Sequence, residues 1–186
     1  MSNQPRLILA SRSPQREAIL SRLGLVFEVV VADVVELTDG DPVDVVRENA
    51  LMKARAVAVD GAMVIGGDTV IVHRGDVIGK PANADEALAT IKRLSGQDHE
   101  VLGAVAVISA NREERTATTA TKVKFRELTA GLMASYVATG EWQDRSGGYA
   151  IQRGGSILVE SIEGDYLNII GLSVNDLRKL APELGI

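Results

Sequence analysis

A mixed α/β fold is expected for this chain from three observations. Apolar residues switch repeatedly between helical and strand spacing along its length. The helical stretches open on Ser, Asn or Thr and close on glycine, whereas the strand-like runs are rich in β-branched residues. At 186 residues and 46% apolar content the chain can bury a real core as a single domain, residues 1–186, in one or two lobes.

Taken in order, Leu7 to Ala10 reads as an apolar strand that runs into Ser11, Ser13 and Pro14, and Pro14 to Leu23 as a helix stopped by Gly24. Phe27 to Val31 reads as a short strand. From Asp44 to Val59 one helix is expected, with Val45, Val46, Ala50, Leu51, Ala54, Val57 and Ala58 on its buried face and Lys53 near the boundary beside Glu48, Asn49 and Met52. Met63 to Ile65 and Val70 to Val72 are two β-branched runs flanking GGDT. Arg74-Gly75-Asp76 reads as a hairpin tip before Val77-Ile78. Asn83 with Glu86 has the form of an N-cap and capping box for a helix through Leu94 that turns Leu88, Ile91 and Leu94 inward and ends at Gly96.

Val101 to Ser109 and Thr116 to Phe125 read as an antiparallel pair around polar Asn111 to Glu114. Thr129 caps a helix through Thr139, with Gly140 as its stop. DRSGGYAIQRGG is too rich in glycine for regular structure and too specific in its polar residues for a linker. Ser156 to Ile162 and Tyr166 to Ile170 are read as a last hairpin around Glu163-Gly164-Asp165, and Ser173 caps a closing helix. No internal repeat, low-complexity tract or interdomain linker is visible.

Composition excludes several classes of function. A formal net charge of -5 removes the bulk attraction to polyanions, and aromatics at 3% leave no base-stacking platforms, so neither a nucleic-acid nor a membrane partner is expected. The absence of cysteine excludes disulfides, thiolate nucleophiles and thiolate metal sites, and fits a reducing cytosol. No apolar run approaches the ~20 residues of a membrane span. Met1 to Pro5 lacks the charged and apolar regions of a signal peptide, and a cytoplasmic location is expected.

The chemistry-bearing residues point to phosphate. A strand ending in hydroxyls, followed by a proline at a helix start, presents backbone N–H groups and the cation of Arg16 at one point. Lys53, Lys80 in GKP and Arg145 in the glycine-rich loop are further candidate cations, although each taken alone reads equally as a solvating charge. A triphosphate carries about four negative charges and needs several such groups. Asp68 follows two glycines within apolar strand sequence, so its backbone can approach a ligand closely. The alternative is a turn aspartate bonded to its own backbone. Glu36 could share a divalent ion with Asp68, and neighbouring Asp33, Asp39 and Asp41 could equally be loop acids. His73 and His99 have no partners at metal-ligand spacing and read as structural. Ser11 and Ser13 lack an associated histidine and read as hydrogen-bond donors to phosphate rather than nucleophiles. Trp142 and Tyr149 flank the glycine-rich loop, where packing is the expected role.

Together the blocks LASRSPQR, Glu36, NALMKA, GGDT, GKP, GEWQDRSGGYAIQ and EGDYLNIIGL resemble, in order and from Leu7 to Leu172, the Maf family of nucleoside triphosphate pyrophosphatases, also known as septum-formation inhibitors. The resemblance implies an elongated α/β fold similar to that of inosine-triphosphate pyrophosphatases, with a mixed sheet, flanking helices and a cleft between two lobes, and often a homodimer. It implies cleavage of a nucleoside triphosphate between its α- and β-phosphates, with Mg²⁺ or Mn²⁺ as cofactor. Asp68 would accept the proton of the attacking water, and Glu36 with Asp68 would hold the metal. Arg16, Lys53 and Lys80 would hold phosphates, with Ser11, Ser13, Gln15 and Arg145 also toward the substrate; Thr69 and Gln152 would select the base. Thr69 and Gln152 agree with the branch acting on dTTP and UTP.

The chain departs from the family pattern at Gln15, where SPRR is usual, and at Arg145, Ser146 and Arg153, where lysine, alanine and glycine are usual. A different base specificity because of Gln15 is therefore one alternative. Another is a nucleotide-binding regulator of septum formation that acts through a protein partner.

Overall fold

Side-chain caps set where the helices of the computed structural model begin; it describes residues 6–186, so the signal-peptide reading of Met1–Pro5 lies outside the described residues. Helix α1 (Pro14–Arg22) starts at Ser13, whose Oγ accepts from Arg16 N, and Gly24 beyond its end takes φ 74°. Helix α2 (Pro42–Ala56) is capped by Asp41 Oδ1, which accepts from Val43 N at 2.9 Å, so this acid belongs to the helix. Helix α3 (Ala84–Leu94) has the expected box, with Asn83 Oδ1 accepting from Glu86 N at 2.9 Å. Helices α4 (Ala130–Ala138) and α6 (Val174–Leu180) start at Thr129 and Ser173 in the same way.

The strands are β1 (Arg6–Ala10), β2 (Glu28–Val29), β3 (Ala62–His73), β4 (Asp76–Ile78), β5 (Asp98–Ile108), β6 (Glu114–Phe125) and β7 (Val159–Glu163). They form a mixed sheet in the order β2-β1-β3-β5-β6-β7, with β4 beside β3. Strand β1 pairs in parallel with β2 and with β3, placing Ala10 opposite Gly66. Strands β3 and β4 are antiparallel through a turn in which Arg74 and Gly75 take φ 56° and 87°, and β6 and β7 are also antiparallel. The α/β class and the mixed sheet with flanking helices are as expected.

Four local expectations are corrected. The two runs flanking GGDT are one continuous strand, β3, because both glycines lie in extended backbone at buried positions. The strand over 27–31 shrinks to Glu28–Val29. Leu88 is 37% exposed, since Ala87, Ile91 and Leu94, at i, i+4 and i+7, already form the buried face and Leu88 is turned about 100° from Ala87. The hairpin expected over 156–170 does not form: Asp165 Oδ1 accepts from Leu167 N and Asn168 N and starts a short helix, α5 (Tyr166–Ile170), while β7 pairs with β6 instead.

The chain divides into two compact units. The first comprises residues 1–68, 103–119 and 171–186, and its core is built from Leu7, Ile8, Leu9, Leu20, Val46, Ala50, Ala54, Met63, Val64 and Ile65. The second comprises residues 69–102 and 120–170, with Ile91, Leu94, Phe125, Tyr136, Trp142, Tyr149 and Leu158 in its core. Among the described residues no helix is long and apolar enough to cross a membrane.

Both histidines lie in the second unit. His73 Nδ1 accepts from Arg93 Nε at 3.1 Å. His99 Nε2 meets Tyr149 Oη at 2.8 Å, and its ring packs edge-on against Phe125 and Tyr149. Burial, with a smaller push from His73 and an opposing pull from Asp98, lowers His99 from 6.5 to about 4. Its Nδ1 has no hydrogen-bond partner among the described residues, so a proton added there is uncompensated. The unfolded chain therefore binds the extra proton between those two values, and stability rises with pH across that window. On lowering the pH from roughly 7 to roughly 5 this residue is expected to remove about 2 kcal/mol of stability. Urea unfolding at both pH values, compared with His99→Gln, checks this: the variant should show a correspondingly flatter dependence.

Candidate functional site

The candidate site of the first unit begins with a close approach between helix and strand. A Cβ on Gly66 would lie 2.2 Å from Ala50 O and 3.0 Å from Ala54 Cβ, so only glycine lets α2 pack on β3 at this point. That contact brings α2, with Asn49 and Lys53, to the stretch of β3 that carries Asp68. Gly67 serves a second approach: a Cβ there would lie 2.9 Å from Arg16 Nε. The two glycines of GGDT thus admit a helix backbone and a guanidinium respectively.

Lys53 Nζ lies 2.8 Å from Asp68 Oδ1 and 2.8 Å from Glu36 Oε1. The lysine and Asp68 side chains are 12% and 9% exposed, so their pairing is shielded from water, whereas the Glu36 side chain is 52% exposed. Arg16 is buried. Its Nε donates to Gly171 O at 2.8 Å and its Nη1 to Ser11 Oγ at 3.2 Å. Burial pulls its guanidinium below the ordinary arginine value, and the nearby Asp68 and Glu36 carboxylates pull it partly back. Ser11 Oγ also accepts from Ser13 N, and Ser13 Oγ donates to Gln15 Oε1 at 3.0 Å. The first unit thus brings Ser11, Ser13, Gln15, Arg16, Glu36, Lys53 and Asp68 into one connected neighbourhood. Asp33 pairs instead with Arg12 at 3.6 Å, and Thr38 Oγ1 donates to Asp39.

The sequence names Asn49 only as a neighbour of Lys53 and assigns it no role. Asn49 is 1% exposed, its Oδ1 accepts from Leu37 N at 2.8 Å, and its Nδ2 donates to Leu37 O at 3.0 Å and to Asp68 Oδ2 at 3.3 Å. The available signal was a polar residue on the apolar face of α2, three residues after Val46 and four before Lys53. Gly171, whose carbonyl holds Arg16, gave no side-chain signal.

In the second unit the glycine-rich segment is pinned at several points. Ser146 Oγ donates to Thr69 O at 3.2 Å, and Gly147 N to Gly79 O at 3.0 Å, next to Lys80. Gly147 has φ 69° and packs so tightly on Ile71 that a Cβ would lie 2.3 Å from its Cδ1. Thr69, Lys80 and Arg145 are therefore carried by backbone segments tied to one another. Lys80 is exposed and pairs with no acid among the described residues. Burial, then the charge of Arg153, lowers Arg145 from its ordinary value. Gln152 is exposed in the same segment, with no hydrogen bond to Thr69, Lys80 or Arg145 among the described residues. Trp142 and Tyr149 are buried in the core, where Trp142 Nε1 donates to Val137 O.

As for a metal, two carboxylates already converge on one cation, the Lys53 ammonium, which is the arrangement that a hard divalent ion requires of its protein oxygens. Among the described residues no cluster of three or more His, Cys, Asp or Glu stands ready for an ion. The donor set therefore fits an ion such as Mg²⁺, which keeps waters and takes substrate phosphate oxygens as its remaining ligands.

Fold and site together define a chain whose chemistry is directed at phosphate. It belongs to the family described as Maf-like protein, whose model matches residues 6–184. Its relatives include proteins named dTTP/UTP pyrophosphatase. That of Dictyoglomus thermophilum is 42% identical over 185 residues, covering 96% of each chain. That of Pyrococcus furiosus is 42% identical over 190 residues, covering 97% of this chain and 95% of its own. Among solved structures, a HAM1 protein from Coxiella burnetii aligns over 82% of this chain and 91% of its own at a TM-score of 0.50 and 18% identity, a likeness of fold alone.

Gly66→Ala is expected to cost about 1–3 kcal/mol, because the atom in the way is backbone and α2 must move. Gly67→Ala should cost less, since the obstructing atom belongs to the Arg16 side chain. Denaturant midpoints of the two variants measured side by side check the order.

Proposed function

We propose that this chain is a nucleoside triphosphate pyrophosphatase that hydrolyses dTTP and UTP, and modified pyrimidine nucleotides, to the monophosphate and pyrophosphate. The observation that carries the reading is the meeting of Asp68, Glu36 and Lys53 beside buried Arg16. The names of the full-length relatives at 42% identity support the same activity and the pyrimidine preference.

Hydrolysis of a phosphoanhydride asks little covalent chemistry of the protein. It requires that phosphate charge be neutralised and that water be held in line with the bond to be broken. Asp68 is suited to accept the proton of that water: its Oδ1 is engaged by Lys53 and its Oδ2 by Asn49, which fixes the plane of the carboxylate. Arg16, held at Nε by Gly171 O and at Nη1 by Ser11, and Lys53 supply cations toward phosphate oxygens. Lys80, Arg145, Ser11, Ser13 and Gln15 are assigned to the same task and Thr69 and Gln152 to the base, with Ser13 also capping α1. Glu36 and Asp68 are the residues that would hold the divalent ion. When bound, such an ion neutralises phosphate charge and lowers the pKa of a coordinated water. We place this enzyme in the cytoplasm, as a homodimer that clears unwanted nucleotides.

Asp68→Asn keeps the shape of the side chain and removes its basicity. Turnover is expected to fall by about 10²- to 10⁴-fold, measured as pyrophosphate released from dTTP and UTP with circular dichroism confirming the fold. Undiminished release by the folded variant refutes the assignment. Chelation should abolish activity and Mg²⁺ or Mn²⁺ restore it. In a panel of nucleoside triphosphates the products should be monophosphate and pyrophosphate; orthophosphate as the first product would exclude cleavage between the α- and β-phosphates.

A further inference from the structure

The two acids of the site stand on very different supports. Asp68 is on β3, in the middle of a buried strand. Glu36 lies in irregular chain between β2 and α2, where Val35 is 92% and Leu37 45% exposed. An exposed coil with little apolar burial has no packing force to hold a carboxylate at a fixed distance from another. Leu37 N and O, immediately after Glu36, are both bonded to the side chain of Asn49, and the same amide reaches Asp68.

We infer that Asn49 is the positioning residue of this site, a single buried amide that sets the carboxylates of Glu36 and Asp68 in one geometry. The inference rests on the pyrophosphatase reading for its kinetic consequence, though not for its geometry. The chemistry of the amide suits the task. Leu37 offers one donor and one acceptor, and a carboxamide answers both at once, with a second N–H left over for Asp68. Aspartate at this position would keep the acceptor for Leu37 N but would face Leu37 O and Asp68 with oxygen. Alanine would lose all three contacts. Position 49 is also one helical turn before Lys53, so the amide and the ammonium reach the two oxygens of Asp68 from the same helix. Asn49 itself touches neither water nor phosphate in this scheme; it acts through the acids.

A buried amide that merely fastens a loop would affect stability and nothing else, so the test separates the two roles. Three properties of Asn49→Ala are compared with the unaltered chain: Mn²⁺ affinity without nucleotide, read by electron paramagnetic resonance; hydrogen exchange of the Leu37 amide; and kcat and KM for dTTP. Val46→Ala, in the buried face of α2 and outside the site, serves as the control for lost stability. For Asn49→Ala, Mn²⁺ affinity and kcat are each expected to fall about 10- to 100-fold, with KM changed less than about threefold, the Leu37 amide exchanging faster, and Val46→Ala close to the unaltered chain in all three. Asn49→Ala with unchanged Mn²⁺ affinity, or losses matched by Val46→Ala, overturns the inference. Where the alanine variant does not fold, Asn49→Asp is read instead: retained kcat would likewise overturn it, and an approximately tenfold loss with the Leu37 amide still protected supports it. If the unaltered chain releases no pyrophosphate, the functional reading fails, while Mn²⁺ affinity and amide exchange still decide on Asn49.

Discussion

The close approach of α2 to β3 at Gly66 is the constraint from which the site follows. A helix normally keeps its axis some 8–10 Å from its neighbour because side chains intervene. Here a side chain is missing from the strand, and the backbone carbonyl of Ala50 occupies the space a Cβ would need. Residues of α2 that would otherwise stand above the sheet are thereby brought to its surface, and Asn49 and Lys53 reach a carboxylate on the strand itself. The strand register then continues the arrangement: parallel pairing puts Ala10 opposite Gly66, so the chain leaving β1 enters the α1 turn beside GGDT, and Arg16 lies across Gly67.

Bringing charges together in this way is unfavourable unless each finds a partner. The charges here are balanced locally, with two cations, Arg16 and Lys53, against two acids, Glu36 and Asp68. A backbone carbonyl and a hydroxyl also accept from the guanidinium. The formal charges of these four side chains sum to zero, and a polyanion accompanied by a divalent cation would change the charge of such a site less than the polyanion alone. The net charge of the whole chain, which is negative, does not oppose this, because fields at such a site are set by groups within a few ångströms rather than by the surface. The cations of the second unit stand on other supports. Lys80 is exposed, and Arg145 is carried by a segment of glycines pressed against Ile71 and Pro81.

Errors in reading the sequence have specific physical origins. A pair of glycines inside an apolar run suggested a break, yet the strand continues because each glycine is required for something that packs on it. Asp165 was read as part of a turn between strands, whereas its carboxylate caps a helix; an aspartate serves both purposes, and the choice depends on which strand β7 finds as its neighbour. Asn49 stands beside Lys53 in the sequence, but nothing local assigns it a role, because its partners, Leu37 and Asp68, are 12 and 19 residues away.

What the sequence by itself determined is whatever depends on nearby residues: the capped starts of α3, α4 and α6, the alternation of strands and helices, the absence of thiol chemistry, and the blocks that resemble one family. Each of these is a matter of backbone hydrogen bonds, burial period or composition within a few residues. Only the tertiary structure decided that Lys53 stands between Glu36 and Asp68, that Arg16 is held by the carbonyl of Gly171 at the far end of the chain, and that the Asn49 amide bonds both Asp68 and the backbone of Leu37. Those contacts link residues from 12 to 155 positions apart, and no local propensity encodes such a distance; it is set by where glycines let backbone segments meet.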